Sequence, residues 1–143
     1  MNNTMSLKVK AIPQNEGFVR SVVAAFCVPC DPTIDTLNDV RTAVSEAVTN
    51  CVVHAYGSTG VGEILIECTL IDCFLTVTIS DYGKGIDNVD MAIQDFYTTR
   101  ANNERSGLGF TIMKSFMDSL DVTSEHSAGT VVTMTKRLKN AEY

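Results

Sequence analysis

Three short segments contain residues whose types and spacing could do chemistry. The first lies on a strongly patterned helix, where Glu46, Asn50 and His54 follow one another at intervals of four residues. This spacing stacks the three side chains along one line of the helix, beside its apolar stripe. A glutamate and an asparagine one turn apart can accept a proton and hold a hydrated Mg²⁺, which prefers oxygen ligands. A solvated helix flank has the same pattern, so this helix alone leaves both interpretations open.

The second segment is Asp81-Tyr-Gly83-Lys-Gly85, which follows an apolar strand. Alternate residues from Leu75 to Ile79 point to one apolar face, and the same alternation directs Asp81 inward. A carboxylate buried there costs on the order of a few kcal/mol unless it finds hydrogen-bond donors. The two glycines let the backbone turn sharply and approach a ligand closely. The segment therefore predicts either a ligand contact by Asp81 or a turn in which Asp81 caps neighbouring amides.

The third segment, Arg105-Ser-Gly107-Leu-Gly109, stands between a polar stretch and a second apolar-periodic stretch. Glycines at a helix N-terminus expose unpaired amides and the positive end of the helix dipole, which can receive phosphate. A single Gly-x-Gly is not specific, and the sequence contains neither the P-loop signature nor a dinucleotide fingerprint after a strand. The order of the three segments is therefore more informative than any one of them.

Hydrophobic periodicity predicts the elements that must position these segments. Helices are predicted at residues 18–28, 39–56, 87–96 and 108–120, and strands at residues 6–11, 63–70, 73–80, 122–124 and 130–135. Ile71-Asp72 is predicted to be the turn of a hairpin, and the polar residues 97–106 a mobile loop. This order predicts an α/β fold, a two-layer sandwich with helices on one face of a mixed, largely antiparallel sheet.

Length and composition limit the function classes. The 143 residues, 45% hydrophobic and 20% charged without a biased block, predict one globular domain at residues 1–143. The net charge is −6 and lysines and arginines form no cluster, so general nucleic-acid binding is excluded. The longest apolar run falls far short of the roughly 20 residues of a membrane helix. No secretory signal opens the chain, so we expect a cytoplasmic location without a membrane partner.

The five cysteines are irregularly spaced and do not resemble a disulfide framework. Cys27 and Cys30 form a Cys-x-x-Cys pair, for which a redox or a zinc role must be considered. The pair follows an apolar helical stretch rather than a strand, and a zinc site would need a second ligand pair. The favoured interpretation is two small apolar residues at the end of a helix.

Taken together, the motifs resemble the ATP-binding domain shared by gyrase, the Hsp90 chaperones, histidine kinases and the mismatch-repair ATPases. Three segments are more closely similar to the anti-sigma F factors of endospore-forming bacteria: Ser45-Glu-Ala-Val-Thr-Asn50, Asp81-Tyr-Gly-Lys-Gly-Ile86 and Glu104-Arg-Ser-Gly-Leu-Gly-Phe-Thr-Ile-Met113. Gln14-Asn-Glu-Gly-Phe-Val-Arg20 and Asp31-Pro-Thr33 also fit, so the resemblance covers nearly the whole chain. It implies a Bergerat-type ATP-binding fold and the activity of a protein serine/threonine kinase.

The resemblance also implies a role for each candidate residue. Asp81 would bind the adenine amino group, Asn50 would hold the Mg²⁺ that bridges the phosphates, and Glu46 would be the general base toward a serine hydroxyl. The remaining contacts with ATP or ADP would come from Gly83 and Gly85 near the adenine, Gly107, Leu108 and Gly109 at the phosphates, Arg105 at the γ-phosphate and Thr130 beside Asp81. Residues 86–106 would form a lid over the nucleotide, and His54 would be structural.

By the same resemblance the partners are separate proteins, since one domain has no room for a built-in acceptor. The expected partners are the sporulation sigma factor F, held away from RNA polymerase, and an anti-anti-sigma antagonist phosphorylated on serine. A homodimer is expected, and Arg20 is a candidate partner contact. Two alternatives remain: a non-catalytic, nucleotide-regulated sigma-binding module, and the related switch kinase of the general stress sigma factor. The presence of both Glu46 and Asn50 speaks against the first.

Overall fold

The structure, a computed structural model, describes residues 1–83, 85, 104–125 and 127–139 and contains one five-stranded sheet. The strands follow the order β1-β2-β3-β5-β4 across the sheet: β1 (Asn2–Lys10), β2 (Glu63–Ile71), β3 (Phe74–Asp81), β4 (Ser119–Glu125) and β5 (Gly129–Arg137). Three helices accompany them: α1 (Gln14–Cys27), α2 (Ile34–Asn50) and α3 (Glu104–Phe116). The α/β sandwich is confirmed, and all four strand pairings of these residues are antiparallel, so the sheet is not mixed there.

Helix α2 carries the first candidate segment, and its sequence explains its start and its buried face. The Oγ1 atom of Thr33 accepts a hydrogen bond from the Thr36 amide at 3.1 Å and caps the helix. The helix therefore begins at Ile34, ahead of the predicted start at residue 39, because the cap and not the apolar pattern sets the boundary. Residues at helical spacing along one face are fully buried: Val40, Ala43, Val44, Ala47 and Val48.

Beyond Asn50 the helix changes type and continues as a π-helical turn, Cys51–Ala55. The apolar pattern predicted one helix through residue 56, so its end is confirmed to within one residue, but the pattern did not predict the change in hydrogen bonding. Single π turns of this kind are frequent at functional sites.

Strands β2 and β3 form a hairpin whose turn residues are Asp72 and Cys73. Both have positive φ, 49° and 61°, which suits the two-residue turn that matches the twist of paired strands. The turn lies one residue later than predicted, because Ile71 pairs with Phe74 and stays in the ladder. This register directs alternate residues of β2 toward the helices and buries Ile64, Ile66, Cys68 and Leu70.

The core lies between the sheet and the helices, with α2 packed against both α1 and α3. The opposite face of the sheet is polar and rich in threonine, with Thr76, Thr78, Thr133 and Thr135 at alternate positions of β3 and β5. None of the helices in the described ranges is long and apolar enough to cross a membrane.

Helix α3 begins earlier than its apolar pattern predicted. It starts at Glu104 rather than at residue 108, so the last residues of the predicted loop and both glycines of the third segment are helical. A glycine inside a helix costs only about 1 kcal/mol relative to alanine, and packing of the helix compensates for that. The helix ends at Phe116, and Leu120, which was predicted to be helical, belongs to β4. The predicted helix 87–96 and most of the predicted loop and lid lie outside the described residues.

The prediction that the cysteines form no disulfide is wrong for one pair. Cys30, in the 3₁₀ turn Val28–Cys30 after α1, is bonded to Cys73 in the hairpin turn, with a Cα–Cα distance of 5.6 Å. Cys27 is a buried free thiol, as the apolar interpretation implies, and burial raises its pKa to about 12. Sequence spacing could not reveal the pair, because 43 residues separate the two cysteines and only the packing of α1 on the sheet brings them together.

Removing this crosslink should destabilise the fold. Cys73→Ser should lower the free energy of unfolding by about 2–4 kcal/mol, because the bond restricts the unfolded chain. Urea denaturation without reductant measures the difference. With excess dithiothreitol the parent and the variant should have the same free energy of unfolding. A parent whose free energy of unfolding is the same with and without the reductant would contradict the crosslink.

Candidate functional site

Asp81 ends β3 with its side chain directed into the molecule, and only 5% of the residue is exposed. Its Oδ1 atom accepts hydrogen bonds from the amides of Gly83 at 3.0 Å and Thr130 at 3.3 Å. The Cys51 thiol donates a third hydrogen bond to the same carboxyl group. Burial raises the pKa of Asp81, and the three donors oppose that rise. Since a carboxylate can accept about four hydrogen bonds, it keeps capacity for a ligand.

Asn50 is the last residue of α2, and its side-chain amide is buried without a partner in the described part of the chain. Neither Nδ2 nor Oδ1 is hydrogen-bonded there. A Cβ on Gly109 of α3 would lie 3.1 Å from both atoms, so α3 packs closely beside the amide and a glycine at this position leaves it uncrowded. An unsatisfied buried amide costs about 1–3 kcal/mol. The arrangement indicates a polar ligand between α2 and α3, and it rules out the solvated-flank interpretation for Asn50.

Glu46 lies one turn before Asn50 and is half-buried. It borders a polar cleft of about 530 Å³ between α1 and α2, which is also lined by Arg20, Ser21, Asn38, Arg41, Thr42 and Ser45. The Arg20 guanidinium is 3.3 Å from the Glu16 carboxylate and remains largely exposed. A hydroxyl group from another molecule can therefore approach Glu46 through this cleft, while Asn50 faces α3.

Three further predicted residues are near Asp81 in the chain or in the sheet. Gly83 packs against the π turn so closely that a Cβ would overlap the Ala55 carbonyl oxygen, and Gly85 has a φ of 78°, which favours glycine. Thr130 is the β5 partner of Asp81 in the sheet register. The contact that Thr130 makes with Asp81 comes from its amide, whereas its hydroxyl lies 2.9 Å from the Ser124 hydroxyl.

The remaining predicted residues lie at the start of α3. Arg105, Gly107 and Leu108 fall in its first two turns with Gly109, and the structure brings Gly109 next to Asn50. Because α3 begins at Glu104, Gly107 is already helical and does not precede the helix. Among the described residues no group of three or more His, Cys, Asp or Glu side chains could hold a metal ion.

Three residues that the sequence motifs did not indicate complete the surroundings of Asp81. Cys51 donates to its carboxyl group, Ser124 holds the Thr130 hydroxyl, and Tyr56 bonds to the amide that follows Asp81. Only Cys51 carried a signal, since it directly follows Asn50. The other two come from distant parts of the chain.

Comparison with known proteins agrees with this geometry. The profile of the histidine kinase-like ATPase domain matches residues 9–136. Anti-sigma F factor from Caldanaerobacter subterraneus subsp. tengcongensis is 50% identical over 135 residues, which are 94% of each chain. Anti-sigma F factors from Clostridium beijerinckii and Bacillus licheniformis are 47% and 44% identical, covering 95% and 99% of this chain and 95% and 97% of their own. The chain belongs to the anti-sigma F factor family.

A solved structure extends the comparison to the fold of this anti-sigma F family member. The structure of the RsbU and RsbW domains of Rv1364c from Mycobacterium tuberculosis superimposes with a TM-score of 0.70 at 18% identity. The match covers 97% of this chain and 33% of that one. At that identity the likeness concerns the fold, and family membership in the histidine kinase-like ATPases implies a nucleotide-binding domain.

Replacing Asp81 by asparagine tests the cost of burying its charge. Because the folded-state pKa is raised, the carboxyl's contribution to stability is present below the unfolded-state pKa and is lost as pH rises through the folded-state pKa. Ligand-free Asp81→Asn protein should therefore be more stable than the parent near neutral pH, and the gain should shrink as pH falls toward about 4.

Urea denaturation across that pH range measures the gain, with Asp121→Asn on exposed β4 as the control that should show none. An Asp81→Asn protein less stable than the parent at every pH would contradict the burial cost.

Proposed function

We propose that the chain is an ATP-dependent protein serine kinase and an anti-sigma factor. The observation that carries the proposal is the Asn50 amide, which has no partner among the described residues, faces Gly109 and lies one helical turn from Glu46. A proton acceptor, a metal-binding amide and a buried base-reading carboxyl group thus lie along one helix and the strand end next to it. Membership in the anti-sigma F factor family supports the same activity.

Asp81 would recognise the adenine base. Its carboxyl group is fixed by Gly83, Thr130 and Cys51, so it can accept a hydrogen bond from the exocyclic amino group without rearranging. Guanine carries an oxo group at that position, and this hydrogen-bond acceptor would face the Asp81 carboxylate, which is also an acceptor. The geometry therefore favours ATP and ADP over GTP.

Asn50 would hold Mg²⁺ through its amide oxygen. The buried amide fits this role because it has no partner of its own among the described residues and because Gly109 leaves it uncrowded. When bound, Mg²⁺ supplies neutralisation of the phosphate charge. We assign the phosphate contacts to Gly107, Leu108 and Gly109, the γ-phosphate contact to Arg105, and the lid to residues 86–106.

Glu46 would accept the proton of the serine hydroxyl. It borders the open cleft between α1 and α2, so the acceptor can come from a separate protein, which we propose is the anti-anti-sigma antagonist. The second partner is sigma factor F, after which the curated relatives are named. Arg20, exposed on the rim of the same cleft, is a candidate contact for either partner. We further propose a homodimer in the cytoplasm.

Replacing Glu46 by glutamine tests the general base. The change should reduce the rate of phosphoryl transfer to the antagonist by about 100- to 10,000-fold, because a general base contributes a rate factor of that size. ATP affinity should stay near the parent value, since the side chain keeps its shape. Transfer of labelled phosphate from ATP measures the rate, with Glu67→Gln on the exposed β2 face as the matched control. Unchanged transfer would remove the assigned role, and absence of transfer by the parent would favour a non-catalytic binding module.

The partners can be tested by capture from a sporulating cell in ATP and in ADP. We expect sigma factor F to be retained with ATP and the antagonist to be retained preferentially with ADP, because the state of the nucleotide would change the surface near the cleft. Mass spectrometry of the captured proteins reads out the exchange. Capture of the general stress sigma factor instead would assign the chain to the related switch kinase.

A further inference from the structure

The ladder between β2 and β3 stops at an unusual junction. The pairs of this ladder run from Ile71 with Phe74, next to the two-residue turn, to Ile64 with Asp81, which is the last pair. Hydrogen-bonded and non-hydrogen-bonded pairs alternate along antiparallel strands. The next hydrogen-bonded pair would therefore be Glu63 with Tyr82, joined by their backbone amides and carbonyls.

The Tyr56 hydroxyl lies between Glu63 and Tyr82 and takes the place of that backbone pair, which would be the next rung of the ladder. It donates a hydrogen bond to the Glu63 carbonyl at 2.8 Å and accepts one from the Tyr82 amide at 2.7 Å. The two backbone groups that would have bonded to each other are thus both satisfied by one side chain. β3 parts from β2 immediately after Asp81.

Tyr56 is itself held from two sides. Its amide donates to the Cys51 carbonyl at 3.2 Å, and its carbonyl accepts from the Thr59 hydroxyl at 2.9 Å. Its ring lies over Gly62, where a Cβ would come 2.5 Å from the Cε1 atom. The hydroxyl is therefore a fixed point, not a swinging surface group.

The chain that leaves the sheet at Tyr82 returns at once to Asp81. The Gly83 amide, two residues on, donates to the Asp81 Oδ1 atom at 3.0 Å, and Gly83 packs against the Ala55 carbonyl. Were Tyr82 to continue the ladder with Glu63, the Gly83 amide would be drawn along β2 and away from the carboxyl group. The two hydrogen bonds of the Tyr56 hydroxyl, here called the Tyr56 bridge, thus fix the path of the backbone from Tyr82 to Gly83. That path places the Gly83 amide where it orients the Asp81 carboxyl group.

We propose that Tyr56 is a positioning residue for base recognition, whose hydroxyl ends the β2–β3 ladder and thereby sets the orientation of the Asp81 carboxyl group. This inference rests on the proposed role of Asp81 in reading adenine. Burial, helped by the nearby Asp81 charge, raises the pKa of the Tyr56 hydroxyl, so it keeps its donor proton at neutral pH.

Selectivity for the base is the readout that a merely structural role would not move. Affinities for ATP and for inosine triphosphate, which has an oxo group in place of the amino group, are measured by titration calorimetry. Tyr56→Phe should reduce the preference for ATP about 3- to 10-fold, the worth of one misdirected hydrogen bond. Inosine triphosphate affinity and the melting temperature should change little. Tyr82→Phe is the matched control, because its exposed ring loses a hydroxyl while its backbone amide keeps the Tyr56 bond.

A double variant separates this proposal from the function on which it rests. If Tyr56 acts through Asp81, adding Tyr56→Phe to Asp81→Asn should cause no further loss of preference. A parent that does not prefer ATP removes the role of Asp81 and this proposal with it. If the parent prefers ATP and the Tyr56→Phe protein keeps that preference, the positioning role alone is overturned. The same conclusion holds if Tyr56→Phe weakens the binding of both nucleotides equally.

Amide hydrogen exchange gives a second measurement that needs no variant. The Tyr82 amide should be protected in the ligand-free parent, although the residue is largely exposed and lies beyond the ladder. Exchange of Tyr82 at the rate of an unstructured amide would overturn the bridge. In Tyr56→Phe protein the Gly83 amide should exchange faster, because it is drawn away from the Asp81 carboxyl group, while the amides in the middle of β3 keep their protection.

Discussion

The buried carboxyl group of Asp81 is the constraint around which the site is arranged. A carboxyl at the end of an apolar strand must be satisfied by the protein or remain a source of instability. Its donors come from three places: the turn at Gly83, the start of β5 at Thr130, and the π-helical turn at Cys51. The end of one strand therefore ties together the extension of α2, the loop that leaves the sheet and a strand that is distant in sequence.

Asn50 shows the opposite condition, a buried polar group that the described chain does not satisfy. The next residue in the chain, Cys51, is bonded to Asp81. The change from α to π geometry thus falls between an amide left open toward α3 and a thiol directed at β3. The Cys51 thiol has a partner, whereas the adjacent Asn50 amide is left for a ligand. Binding of that ligand would remove the unfavourable free energy of the unsatisfied amide.

Close approach explains several of the glycines better than turn formation does. A side chain at Gly83 would overlap the Ala55 carbonyl, one at Gly129 would overlap the Asp81 carbonyl, and one at Gly109 would press on the Asn50 amide. In each case a second element lies where the Cβ would be, so the glycine allows the site to be narrow. An acidic chain can in this way offer phosphate-binding amides without a basic surface.

The sequence by itself determined the kinds of elements, the inward direction of Asp81 and the pairing of Glu46 with Asn50 on one helix, because these follow from local periodicity. It also identified the family, since the motifs occur in the right order. Boundaries set by local hydrogen bonds differed from the apolar pattern, as the Thr33 cap of α2 shows. The tertiary structure alone decided that Cys30 bonds to Cys73, that Cys51 donates to Asp81 and that Tyr56 replaces a rung of the sheet. Each of these joins residues from different elements, and no sequence period records a distance that arises only when a helix packs against a sheet.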